Sequence, residues 1–230
     1  MLVYVSVILC LTIMLKFLDT IFQDRNFSKL VWFLVIHVSS SLLDISYINT
    51  EYDVISNLNL VENEYEDSLM PIMEFSLGVW TSALLECTLL AKDKKEIDLA
   101  QMIIHHIITI SLILIAIFNN YKSFGIVVLA IHDISDCFVI VCKIAARMNV
   151  SNSLLIPAYV SMLLSWAYCR FYLFGLNFIY YQLFPEFFYT TVFGKISIIF
   201  LLFLLMLHVY WFYLMLRLAF KKDRVKQFES

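Results

Sequence analysis

Residues 101–145 read QMIIHHIITISLILIAIFNNYKSFGIVVLAIHDISDCFVIVCKIA. Two apolar runs, 99–118 and 123–145, meet at the short polar connection NNYKS. Each has about the 20 residues a helix needs to cross the hydrocarbon of a bilayer. The apolar residues are continuous rather than alternating, which argues against barrel strands. Backbone groups in lipid must be satisfied within the segment, so both runs predict helices. A connection this short makes them antiparallel neighbours. Yet the pair carries His105, His106, His132, Asp133 and Asp136. A charged side chain at mid-bilayer costs about 2.5–3.5 kcal/mol, so such groups are expected to face a bundle interior and to mark a functional site.

Further runs of the same kind occupy 1–18, 28–48, 69–91, 154–180 and 194–219. The expected fold is therefore all-α, a polytopic membrane helix bundle of about seven transmembrane helices. Composition agrees: 62% of the 230 residues are hydrophobic and only 15% charged, outside the range of an ordinary soluble domain. The first run lacks a basic leader and a small-residue cleavage site, so it is expected to be retained as a span. Lys16, Arg25 and Lys29 flank the first connection, Lys92, Lys94 and Lys95 the third, and Lys143 and Arg147 the fifth. Arg217, Lys221, Lys222, Arg224 and Lys226 close the chain, whereas the alternate connections carry only Lys122 and Lys195. The loop from Asn49 to Ser68 has no basic residue and six acidic ones. By the excess of Lys and Arg on cytosolic loops, the C-terminus is expected in the cytosol and the N-terminus opposite.

The net charge of −3 reflects that acidic loop, and no basic patch with interleaved aromatics points to nucleic acid. The sequons at Asn26 and Asn149 fall on the expected cytosolic side, so glycosylation is not expected at either. Cys10, Cys87, Cys137, Cys142 and Cys169 sit inside apolar runs with no CxxC spacing, and read as packing residues. No phosphate-cradling glycine motif is present, so chemistry must come from inside the bundle.

Helical spacing sorts the polar groups. His105 and Thr109 are four apart and His106 and Thr109 three apart, so Thr109 can neighbour either imidazole. On the next helix His132 and Asp136 are four apart and Asp133 and Asp136 three apart, with Lys143 two turns further along. At 1.5 Å per residue, the histidines lie about 9–11 Å inside a helix entering near Leu99, and Asp136 and Asp133 lie roughly 14 and 18 Å from the end near Ala145. Both stripes therefore fall in the cytosolic half. Imidazole suits proton transfer near neutral pH or attack on an activated acyl group. A carboxylate can orient it and stabilise its charged form. Interhelical hydrogen bonding is the plainer role for such groups. A metal site is a third reading, which the lack of HxxxH-type spacing disfavours, and no metal is expected. His37 and Asp44, two turns apart in the second span, line the same cavity or bond neighbouring helices.

The block MIIHHIIT, followed by HDISD and then Lys143, resembles the signature of ceramide synthases, members of the TLC-domain superfamily. WTSALLECTLLAKDKKEIDLAQM resembles the family's preceding helix, SWAYCRFY its Trp-xxx-Arg in the sixth span, here Trp166 and Arg170, and LLMLHVYWFYLMLRLAFK its closing helix. The resemblance covers about residues 69 to 222. It implies N-acylation of a sphingoid long-chain base by a fatty acyl-CoA, giving ceramide or dihydroceramide. His105, His106, Asp133 and Asp136 would be the catalytic residues, with Thr109, His132, Lys143, Trp166, Arg170, His208 and Trp211 binding substrate or supporting them. No cofactor is implied beyond acyl-CoA as co-substrate. Partners would be the acyl-CoA, the sphingoid base and membrane lipids, with a homo- or hetero-oligomer left open. The location implied is the endoplasmic reticulum membrane. The domain reading is an N-terminal helix and connection at 1–27, a TLC-type domain at 28–222 and a tail at 223–230. The family's Glu between the Asp and the Lys is Ile140 here, and its Ser-Tyr near the end of the histidine helix is Phe118-Asn119. In the family the loop between the last two spans, here about Tyr181 to Phe193, influences acyl-chain length. The alternative is a non-enzymatic TLC-type protein that binds or senses lipids.

Overall fold

The computed structural model describes residues 2–51, 69–89, 96–119, 121–180 and 190–219. Seven long helices stand among them: α1 (Leu2–Phe22), α2 (Arg25–Glu51), α3 (Met70–Leu89), α4 (Glu96–Phe118), α5 (Lys122–Arg147), α6 (Asn152–Trp166), which continues as a π-helix over Ala167–Tyr180, and α7 (Val192–Ala219). Most of the acidic loop, the lysines at 92, 94 and 95, residues 181–189 of the loop expected to bear on chain length, and the basic tail from 221 onward lie outside the described residues.

Six of these helices are long and apolar enough to cross a membrane: Tyr4–Phe22, Arg25–Ser46, Leu99–Phe118, Lys122–Arg147, Asn152–Leu176 and Val192–Leu218. The chain is a multi-pass, all-α membrane protein. The third expected span, α3, is a helix of 20 residues that carries Glu74 and Glu86 and is not among those six. Burial is reversed relative to a soluble protein. Val5, Leu9, Ile13 and Phe17 form an exposed apolar stripe at four-residue intervals along α1, while His105, His106, Asp133, Arg170 and His208 are buried. Lipid favours that arrangement, since hydrocarbon solvates the stripe and the polar groups find partners inside.

The chain divides into two compact units. The first combines Met1–Phe17 with Leu42–Ala130. Its core is Leu69, Met73 and Trp80 against Ile113 and Ala116 of α4 and Ile126 and Leu129 of α5. Glycines set the helix separations. A Cβ at Gly125 would lie 3.2 Å from Ala116 Cβ and 3.0 Å from Met73 Cε, and one at Gly78 would lie 2.8 Å from Val7 Cγ1. Small residues let membrane helices approach closely enough for dispersion to hold them. Tyr4 adds a hydrogen bond to Thr81, 3.3 Å long, between α1 and α3.

The second unit combines Leu18–Ser41 with Ile131–Ser230. Asp24 starts α2 in the manner of an N-cap, its Oδ1 accepting from the backbone N–H of Asn26 and Phe27 at 3.1 and 3.2 Å. The same carboxylate takes Arg147 at the end of α5, with Nη2–Oδ2 at 2.8 Å and Nη2–Oδ1 at 3.0 Å. Asn149 closes α5 at a φ of 50°, a left-handed conformation that asparagine tolerates at helix ends. The π segment and α7 pack through Phe171 and Phe212, whose rings meet edge-on at 5.1 Å, and the Tyr159 hydroxyl of α6 donates to the Met215 carbonyl.

Candidate functional site

The ionisable groups read from the sequence fall into both units. The histidine pair lies in the first. α4 places His105 and His106 on its buried side, 5% and 3% exposed, with ring centres 5.5 Å apart. α3 covers them with Trp80, whose ring lies 5.6 Å from His105 and 5.5 Å from His106. Nearly two turns further on, Cys87 brings its Sγ to 3.6 Å from His106 Nε2. Trp80 and Cys87 share a helix face because seven residues make nearly two turns. The Thr109 hydroxyl donates to its own helix at the His105 carbonyl, 2.9 Å away, rather than to an imidazole. Threonine can satisfy itself in this way inside a helix, a competition that spacing alone does not resolve.

The aspartate pair lies in the second unit, where Arg170 is the hub. Buried to 1% exposure in the first turn of the π segment, its guanidinium donates four hydrogen bonds. Nε reaches Ser135 Oγ at 2.7 Å, Nη1 reaches His208 Nε2 at 2.9 Å, and Nη2 reaches the His132 carbonyl at 3.1 Å and Asp136 Oδ1 at 2.6 Å. Guanidinium has donors and no acceptor, so His208 Nε2 must be the accepting nitrogen and its ring proton sits on Nδ1. Arg170 also lies 4.7 Å over the Trp166 ring, a cation–π contact. The Trp166 indole N–H donates to the His208 carbonyl at 3.3 Å. The His132 ring stacks edge-on against Phe174 at 4.7 Å and tilts against His208 at 4.9 Å. Trp211 stands 6.3 Å from both the Trp166 and His208 rings. Lys143, further along α5, is exposed.

Asp133 turns the other way. Its Oδ1 meets His37 Nδ1 of α2 at 2.7 Å, with both residues buried. The carboxylate can only accept, so Nδ1 carries the proton and the lone pair of the neutral ring is on Nε2. Helical geometry explains the division on α5: residues 132, 135 and 136 share one face at i, i+3, i+4 spacing, and 133 lies off it. The two carboxylates nonetheless converge, and one ligand atom from each of His37, Asp133 and Asp136 lies within 4.8 Å of the others. Such a trio fits a cation. A metal ion there would compete with the Arg170 hydrogen bond to Asp136 and the His37 hydrogen bond to Asp133. The arrangement is better matched to moving a proton or holding an ammonium.

The sequence named His37 as lining the same cavity or bonding neighbouring helices without assigning it a partner, and it did not single out Ser135. His37 is 96 residues from Asp133, and Ser135 reads as an ordinary small residue. The only signal for His37 was an imidazole inside an apolar span. Cys87, expected as packing, touches a site histidine, although among the described residues no cysteine is in a disulfide.

Relatives longer than this chain align with much of it. A protein named "ASC1-like protein 1" from Oryza sativa subsp. japonica is 25% identical over 224 residues, 88% of this chain and 70% of its own. "Ceramide synthase 1 LOH3" of Arabidopsis thaliana is 25% identical over 239 residues, 90% of this chain and 72% of its own. "Ceramide synthase 4" of Mus musculus is 31% identical over 164 residues, covering 63% of this chain and 36% of its own. The family model described as the TLC domain matches residues 26–217, from the start of α2 to near the end of α7, and includes every side chain of the candidate site. The chain belongs to the TLC-domain family.

Proposed function

We propose that this membrane protein is an acyltransferase that N-acylates a sphingoid long-chain base with a fatty acyl-CoA, releasing CoA. The observation that carries the reading is the buried histidine pair, present together with both aspartates in a chain similar to proteins named ceramide synthases. Either His105 or His106 takes the acyl group as a covalent intermediate or accepts the amine proton. Asp133 and Asp136 steer the amine and hydroxyls of the base. The CoA head is too polar for lipid, so the thioester approaches from the cytosol, while the acyl chain lies along apolar helix surfaces. On this reading the protein works in the endoplasmic reticulum membrane with its C-terminus in the cytosol. Purified protein in vesicles, given labelled sphinganine and a panel of acyl-CoAs, should form N-acyl product. Variants His105→Ala and His106→Ala, shown to be folded by thermal unfolding, should not. Product from both variants at the wild-type rate would refute the mechanism.

The hydrogen bonds that Asp136 and Asp133 already make favour a second reading, in which they only hold helices together and the protein binds or senses lipids. Absence of product from the wild type with every acyl-CoA, together with binding of a labelled lipid, would select it.

A further inference from the structure

Cys87 is a nucleophile that the acyl-transfer reading leaves unused. It stands in the last turn of α3, 5% exposed, with its Sγ 3.6 Å from Nε2 of His106, itself 3% exposed. That separation is within hydrogen-bonding reach for sulfur. The thiol has a proton to give, and Nε2 has a lone pair to take it when the ring proton is on Nδ1. A thiol within reach of an imidazole is the arrangement that activates a sulfur nucleophile, because the thiolate rather than the thiol attacks. Trp80, 5% exposed, lies 5.5 Å from the same imidazole, so the pair is shielded from water. Water destroys a thioester, and a dry site keeps one until a second substrate arrives. In the sequence Lys92, Lys94 and Lys95 follow, with Asp93 between them, a net positive charge of the kind that attracts the phosphates of CoA.

We propose that Cys87 is a further catalytic residue: its sulfur receives the acyl group from the fatty acyl-CoA, with His106 as its base. The inference rests on the acyl-transfer reading above and gives His106 the role of proton carrier within it. In the first half of the reaction, His106 Nε2 takes the thiol proton and the sulfur attacks the thioester carbonyl. A C–S bond to Cys87 forms, the C–S bond to CoA breaks, and the CoA thiolate takes the proton from His106. One thioester replaces another, so the exchange needs no further reactant. In the second half, the unprotonated amine of the sphingoid substrate attacks the Cys87 thioester. The amide C–N bond forms, the C–S bond breaks, and one amine proton passes through His106 to the Cys87 sulfur. Thiol and neutral imidazole are restored, and CoA has left before the amine reacts.

Wild-type protein in vesicles, given acyl-CoA with a labelled acyl chain and no sphingoid amine, should hold the label covalently. Peptide mapping should find it on Cys87. Folded Cys87→Ala should lose the label, and its amide formation with sphinganine should fall at least about 10²-fold, as expected when a nucleophile is removed. Label on His105 or His106, label retained by Cys87→Ala, or a smaller fall in amide formation overturns the proposal. So does a wild type that forms amide without ever carrying label. If Cys87→Ala does not fold, Cys87→Ser decides. Serine is close in size, and an acyl group transferred to it is an oxygen ester that survives neutral hydroxylamine. Absent or hydroxylamine-resistant label in that variant supports Cys87, and label that hydroxylamine still removes overturns it. No amide from the wild type with any acyl-CoA removes the acyl-transfer reading and this inference with it, whereas an active wild type with an unaffected Cys87 variant removes only the inference.

Discussion

Replacing Arg170 with methionine keeps most of the side-chain volume and removes the charge at the centre of the second unit. Arg170 donates to Ser135, His208, the His132 carbonyl and Asp136, and is 1% exposed. Removing one partner of a buried ion pair costs about 3–5 kcal/mol, because the other charge is left in place without its counter-ion. The Asp136 side chain retains 22% of its exposure and can gain some hydration, which places the expected loss at the lower end, about 3 kcal/mol. For a chain of this size that corresponds to a fall of roughly 6–12 °C in the unfolding midpoint. Thermal unfolding in detergent micelles, followed by tryptophan fluorescence, reads it directly, since Trp166 and Trp211 lie beside the guanidinium and His208. The decisive comparison is the double variant Arg170→Met with Asp136→Asn. Neutralising the carboxylate removes the stranded charge, so the double variant should lose at least about 1 kcal/mol less than the sum of the two single losses. A loss below about 1 kcal/mol for Arg170→Met, or strict additivity in the double variant, would refute this account of the hub.

Asp24 gives the pH dependence. The hydrogen bonds from Arg147 hold its carboxyl below the usual carboxylate range. Its contribution is therefore present at neutral pH and is lost as pH falls through the lowered value. Comparing Asp24→Asn with the wild type should show a difference that disappears in acid and stays under about 1 kcal/mol, because the pair is largely solvated. A difference that grows with acid would contradict it. Gly78→Ala should loosen α1 from α3, since the new Cβ would stand 2.8 Å from Val7 Cγ1 and 3.3 Å from the Tyr4 carbonyl. Overpacking of this kind costs about 1–3 kcal/mol, and an unchanged unfolding midpoint would mean the two helices can separate freely.

Much of this architecture could be read from residue order, because in lipid the requirement on a span is one-dimensional: enough consecutive apolar residues to cover the hydrocarbon. Runs such as 123–145 and 194–219 therefore match α5 and α7 within a few residues. α3 forms a helix of 20 residues with Glu74 and Glu86 inside it. Within α5, Arg170 binds the Asp136 carboxylate and the His132 backbone carbonyl, while the His132 ring packs on Phe174 and His208. Partners between helices were another matter. The bond from His37 to Asp133 depends on how α2 packs on α5, and no periodicity links residues 96 positions apart. Thr109 shows the complementary limit, where a plausible side-chain neighbour lost to the backbone carbonyl one turn away.

The π winding of Ala167–Tyr180 has a consequence for how sequences in this family are aligned with one another. An α-helix advances about 100° per residue, so faces recur every three to four positions. A π-helix closes each hydrogen bond one residue later and takes up an extra residue per turn. Arg170 and Gly175, five apart, are accordingly neighbours along the axis: a Cβ on Gly175 would lie 3.6 Å from the Arg170 carbonyl oxygen. Removing one residue after Arg170 would not merely shorten this helix. It would restore α winding locally, so that everything beyond it keeps its facing. A gap of one position in an alignment here thus marks a loss of π winding rather than a change of face, and the side chains beyond it still line up.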